Sequence, residues 1–134
     1  MTNRFQREIA SLDHIVRFVN GALAGYRVKE SIVPSVQLVI EELFTNMVKY
    51  NHHSVSDVSI TIERMDDRLV VTLIDAADRA FDLRTAKEVD ITKPIEQRAV
   101  GGLGIHLVKK LVDSLEYEFT NGENKITFTK KLER

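Results

Sequence analysis

The sequence predicts an α+β fold, a two-layer sandwich in which a mixed, mostly antiparallel sheet carries its helices on one face. Three observations lead there. Apolar residues recur at helical spacing in three segments, and short apolar or alternating runs read as strands. The helical segments are not interleaved one-for-one with the strands, which argues against a doubly wound parallel sheet. A chain of 134 residues suits one domain around one core, here expected to span 1–134.

Each element follows from its local pattern. Thr2–Ile9 is polar with Phe5 and Ile9 spaced through it, a short edge strand. Ser11 is expected to cap a helix in which Leu12, Ile15, Val16, Val19 and Leu23 recur at helical spacing, and Gly25 supplies the stop. Pro34 and Ser35 open a second helix that runs to about Tyr50 and ends at the cluster Asn51, His52, His53, Ser54. Val58, Ile60 and Ile62 alternate with Ser59, Thr61 and Glu63, a half-buried strand. Met65-Asp66-Asp67-Arg68 turns the chain into Leu69–Ile74, whose continuous apolar run predicts a strand covered on both faces. The periodicity then vanishes from Asp75 to Val100, and long loops in compact domains are usually functional. A third helix is expected from Leu103 to Ser114. Leu115, Tyr117 and Phe119 alternate, Asn121-Gly122 is a turn signal, and Ile126, Phe128 and Leu132 mark a closing hairpin strand.

Composition excludes several classes. A net charge of −1 removes the basic surplus expected of a nucleic-acid binder. Without Cys there is no disulfide framework, thiolate nucleophile or Cys-ligated metal. No apolar run approaches the roughly 18 residues of a membrane span, and Met1–Ile9 is too polar for a signal peptide, so the expected setting is the cytoplasm. The histidines are adjacent (His52, His53) or isolated (His14, His106), a poor arrangement for Zn²⁺.

Three constellations remain that suit chemistry. On the second helix, at roughly 100° per residue, Asn46 and Lys49 lie within about 40° of Glu42 and form a polar row beside the apolar stripe of Val36, Val39, Ile40, Leu43, Met47 and Tyr50. Glu41 is turned toward the more exposed face. Half-buried carboxylates and amides need partners, supplied either by an ordinary Glu–Lys pair or by a ligand. Second, Gly101-Gly102-Leu103-Gly104-Ile105 stands directly before an apolar helix. Its glycines permit close backbone approach, and the helix start offers unpaired N–H groups suited to phosphate; a plain loop end would look the same. GxxxxGK[ST] is absent, and a dinucleotide fingerprint fails because position 107 is Leu and no strand precedes Gly101. Third, Asp75 ends an apolar strand, where a carboxylate can accept from an amino group such as that of adenine.

In this order the pieces resemble the GHKL ATPase superfamily (the Bergerat fold), and within it the stand-alone anti-sigma-factor serine kinases of the RsbW and SpoIIAB type. Glu42-Leu43-Phe44-Thr45-Asn46 matches the Glu-x-x-x-Asn helix, Asp75 the second box, and Gly101 through Val108 the glycine box. Residues 76–100 fall where the family places its ATP lid. The resemblance covers roughly residues 10–132. It implies ATP and Mg²⁺ as cofactors, with Asn46 as metal ligand and Glu42 as the catalytic base toward a serine hydroxyl. It also implies Asp75 on the adenine amino group and the Gly102–Ile105 amides on phosphate. Lys49 stands where many relatives have His, Ala77 replaces the glycine of Asp-x-Gly, Phe81 follows one residue late, and Arg98 is the candidate for the γ-phosphate contact. The implied partners are an anti-anti-sigma protein of the STAS fold, a sigma factor and a second copy of the chain, joined through the first strand and helix, with no membrane or direct nucleic-acid contact. Two alternatives stay open: a non-catalytic ATP-binding switch that only captures partners, and the catalytic fragment of a histidine kinase. For the latter, too few residues precede the second helix to supply a dimerisation hairpin.

Overall fold

The computed structural model describes residues 1–50, 56–76 and 102–132, with Tyr50 and Gly102–Gly104 described by backbone alone. The alternating segments pair as expected. Strands β1 (Thr2–Phe5), β2 (Val58–Met65), β3 (Arg68–Ala76), β4 (Ser114–Thr120) and β5 (Glu123–Lys131) form one sheet in the order β1-β2-β3-β5-β4. Every pairing among them is antiparallel, so among the described residues the sheet is antiparallel rather than mixed. Helices α1 (Leu12–Gly25), α2 (Val33–Tyr50) and α3 (Gly102–Leu111) share a single hydrophobic cluster with one face of that sheet.

The period of two decides which residues enter the cluster. Across the sheet, Ile60, Leu73 and Ile126 fall in one register row, and Ile62, Val71 and Phe128 in the next; all are buried. The opposite row carries Thr2, Thr61, Thr72 and Thr127, with hydroxyl contacts of 2.9 Å between Thr2 and Thr61 and 3.5 Å between Thr72 and Thr127. This corrects the expectation for Leu69–Ile74: Leu69, Val71 and Leu73 are fully buried, while Val70, Thr72 and Ile74 are only partly covered. The valine at 70 and isoleucine at 74 made a one-sided strand look two-sided.

Other boundaries move for physical reasons. The edge strand stops at Phe5, and Ile9–Ser11 form a 3₁₀ turn. Ser11 occupies the N-cap of α1 without capping it, because its hydroxyl donates to the Gln6 carbonyl at 2.8 Å. α3 ends at Leu111, and Ser114 already belongs to β4, where its hydroxyl meets Thr129. Phe44, outside the expected stripe of α2, is fully buried. The Asn121-Gly122 turn has φ of 54° and 76°, the left-handed pair a tight hairpin requires.

The stop after α1 belongs to Arg27 rather than Gly25. Arg27 N–H donates to Ala24, Val28 N–H donates to Leu23, and Arg27 takes a φ of 59°, which together make a Schellman closure. A side chain in that conformation is strained. Arg27→Gly is therefore expected to stabilise the fold by about 0.5–1 kcal/mol in urea titration.

Candidate functional site

The site begins on α2. Val36, Val39, Ile40, Leu43 and Met47 are buried, and the adjacent helical row brings Glu42 to a half-buried position and Asn46 to 1% exposure. Asn46 Nδ2 donates to the Glu42 carbonyl at 2.7 Å, one turn back. That bond engages the amide nitrogen and fixes the oxygen in the other direction. Asn46 Oδ1 is buried and has no hydrogen-bond partner among the described residues. An orphaned buried acceptor costs about 1–3 kcal/mol, so its retention points to a ligand. A neutral amide oxygen is a hard donor of the kind Mg²⁺ takes alongside phosphate and water. Among the described residues no group of three His, Cys, Asp or Glu could hold a metal ion. Glu41 is half-buried like Glu42, not distinctly more exposed, and Lys49 is exposed in the last helical turn.

The second part lies at the end of β3. Asp75 sits on the core face, 2% exposed, and pairs in register with Asn124 of β5, itself buried. Asn124 accepts a short hydrogen bond from the Tyr117 hydroxyl of β4. Across β2, Asp75 Oδ2 accepts from Arg7 Nη1 at 2.8 Å, an ion pair whose side chains are 4% and 1% exposed. The same Nη1 donates to the Met47 carbonyl at 3.3 Å, and Nη2 donates to Ser56 Oγ at 3.4 Å. One guanidinium thus ties the residue next to Asn46 to the carboxylate of Asp75.

The third part is α3, which packs against α2. Its helical residues begin at Gly102, so the first turn carries the amides of Gly102, Leu103, Gly104 and Ile105. Ile105 and Val108 bury their side chains in the core, which seats the helix. An α-helix of ten residues leaves its first N–H groups unpaired, with partial positive charge. Ala77, Phe81, Arg98 and Gly101 lie outside the described residues, as does the expected lid beyond Ala76; Ala76 itself still pairs with Glu123 in the sheet.

Helix α2, which carries Glu42 and Asn46, packs against α3, and Arg7 links Asp75 to the Met47 carbonyl of α2. Three polar residues of this corner escaped the sequence reading. Arg7 stands in a polar segment with no periodicity to betray its burial. Asn124 carried a usable signal, a polar residue at a core-facing position of an alternating strand. Tyr117 enters the sequence pattern only as a member of the alternation with Leu115 and Phe119.

The histidine kinase-like ATPase domain family matches residues 5–130. The chain belongs to that family. This ATPase domain is 29% identical over 96 residues to the serine-protein kinase RsbW of Listeria monocytogenes, covering 67% of the chain and 60% of that protein. It is 27% identical over 107 residues to the RsbW of Bacillus cereus, covering 76% and 66% respectively. The match thus spans about three-fifths to two-thirds of the length of these curated relatives. The fold is that of the RsbU and RsbW domain structure from Mycobacterium tuberculosis, with a TM-score of 0.68, 15% identity and coverage of 100% of this chain and 32% of that one. It is also that of a chain in the SiaB–SiaC complex from Pseudomonas aeruginosa, with a TM-score of 0.67, 16% identity and coverage of 96% and 88%. The two-layer α+β architecture expected from the sequence is thereby shown for this ATPase domain, and no described helix is long and apolar enough to cross a membrane.

Proposed function

We propose that the chain is an ATP- and Mg²⁺-dependent protein-serine kinase that doubles as an anti-sigma factor, phosphorylating a STAS-type anti-anti-sigma protein and sequestering a sigma factor. The observation that carries this reading is Asn46. Its amide nitrogen is held by the Glu42 carbonyl, its oxygen is buried with no hydrogen-bond partner among the described residues, and a half-buried carboxylate stands one turn away. The names of the relatives, serine-protein kinase RsbW, agree with a serine acceptor. The SiaB–SiaC structure supports a separate protein as partner.

The chemistry asks little of the protein beyond position and charge. Asp75 would accept from the adenine amino group, and the first-turn amides of α3 would receive phosphate oxygens. Asn46 Oδ1 would hold Mg²⁺, which neutralises phosphate charge when bound. Glu42 would take the proton from the serine hydroxyl as that oxygen bonds to the γ-phosphorus and the bond to the ADP oxygen breaks. Lys49, and from the segment outside the described residues Ala77, Phe81, Arg98 and Gly101, belong to the same proposed nucleotide site. The second copy of the chain would meet the first through β1 and α1.

Incubation with labelled ATP, Mg²⁺ and candidate STAS proteins tests the reading. Label on a substrate serine supports it. Tight nucleotide binding without transfer to any of them favours a switch that only captures partners, and absence of nucleotide binding overturns both.

A further inference from the structure

We propose that Arg7 is a residue of the base pocket, occupying Asp75 in place of a purine amino group, so that adenine nucleotide binds only as the N-terminal arm withdraws. This rests on the nucleotide reading of the site and names how that site is regulated.

Three observations carry it. First, burial along the arm is selective: Gln6, Glu8, Ile9 and Ala10 are exposed, while the Arg7 side chain is 4% exposed. Between Gln6 and Ala10 the chain lies on the surface, and Arg7 turns its side chain inward. Second, the chemistry of the contact matches that of the ligand. A guanidinium edge presents planar N–H donors to a carboxylate, as the amino group of adenine does, and it reaches Asp75 Oδ2 at 2.8 Å. Asp75 is 2% exposed in this arrangement, so a base cannot reach it until something moves. Third, the arm is short and has room. Its start is anchored as β1 against β2 and by Met1 at Ile62; beyond Phe5 it is held by the Ser11 hydroxyl on the Gln6 carbonyl and by turn bonds at Glu8 and Ser11, and it borders a groove of about 380 Å³ lined by Phe5, Gln6, Glu8, Ala10 and His14. The contacts of Arg7 with the Met47 carbonyl and Ser56 Oγ, at 3.3 and 3.4 Å, are longer than the 2.8 Å contact with Asp75.

A pocket whose competent form is a minor population binds its ligand more weakly in proportion. If the arm holds Asp75 nine-tenths of the time or more, removing the guanidinium raises apparent affinity by about tenfold or more. The alternative role for Arg7 is to orient Asp75 for the base, and it predicts the opposite sign.

The test is calorimetric titration of the full chain and of its Arg7→Gln variant with ADP at millimolar Mg²⁺, paired with hydrogen exchange of the wild-type chain. The expected result is about tenfold tighter ADP binding by the variant, and faster amide exchange across residues 1–10 of the wild type on ADP saturation. Equal or weaker binding by a cooperatively folded variant overturns the proposal. So does exchange in residues 1–10 that slows or stays unchanged on saturation, a readout that stands even if the variant fails to fold. Failure of both proteins to bind ADP would instead overturn the nucleotide reading beneath it.

Discussion

Replacement of Glu42 by Gln is expected to reduce serine phosphorylation by about 10²–10⁴-fold, the range typical of losing a positioned general base. The substitution keeps the size and the half-buried setting of the side chain, and the Asn46 contact is made to the backbone carbonyl of Glu42 rather than to its carboxylate. The amide oxygen of Asn46 should therefore stay where it is. Thermal melting should shift little, while phosphate transfer to a STAS substrate, followed by labelled ATP, should collapse. Wild-type rates in the variant would remove Glu42 from the chemistry. A wild-type chain with no transfer to lose would favour the partner-capturing alternative.

The second large effect concerns stability. Asp75→Ala should cost about 3–5 kcal/mol, because it strands the Arg7 guanidinium among buried groups after its carboxylate is gone. The cost should appear as a lower urea midpoint with an unchanged slope. A compensated double variant, Arg7→Met with Asp75→Leu, should recover most of that loss, since replacing both members of a buried ion pair by apolar groups of similar volume is often neutral. Its recovery would come without the carboxylate, so adenine recognition should remain lost while the fold is restored. A single Asp75→Ala variant as stable as wild type would show that the pair contributes nothing to the fold.

The strongest sequence signals were periodic and local. The stripe on α2, the alternation of Val58, Ile60 and Ile62, and the Asn121-Gly122 turn each predicted its element because a few neighbouring residues determine it. Glu42 and Asn46 were legible for the same reason, since one helical turn relates them. What was hidden depends on partners far along the chain. Arg7 is buried because Asp75, Met47 and Ser56 converge on it, and nothing in its own neighbourhood shows this. Phe44 is covered only once helices and sheet close around it. The end of α1 misled for a different reason: glycine is the usual left-handed residue, and here an arginine accepts that conformation.

The strand order also dictates when the Asp75 corner can come into being. β2 with β3, and β4 with β5, are neighbours in sequence and can zip as local hairpins, whereas β3 with β5 joins Asp75 to Asn124 across about fifty positions. Closing so wide a span has an entropic cost before contacts compensate, which places this docking late on the folding route. Arg7 can find its carboxylate only after β1 has also added itself to the far edge. A nascent or partly denatured chain should thus own both hairpins yet lack the corner, and burial of Arg7 would serve as a marker that folding has finished.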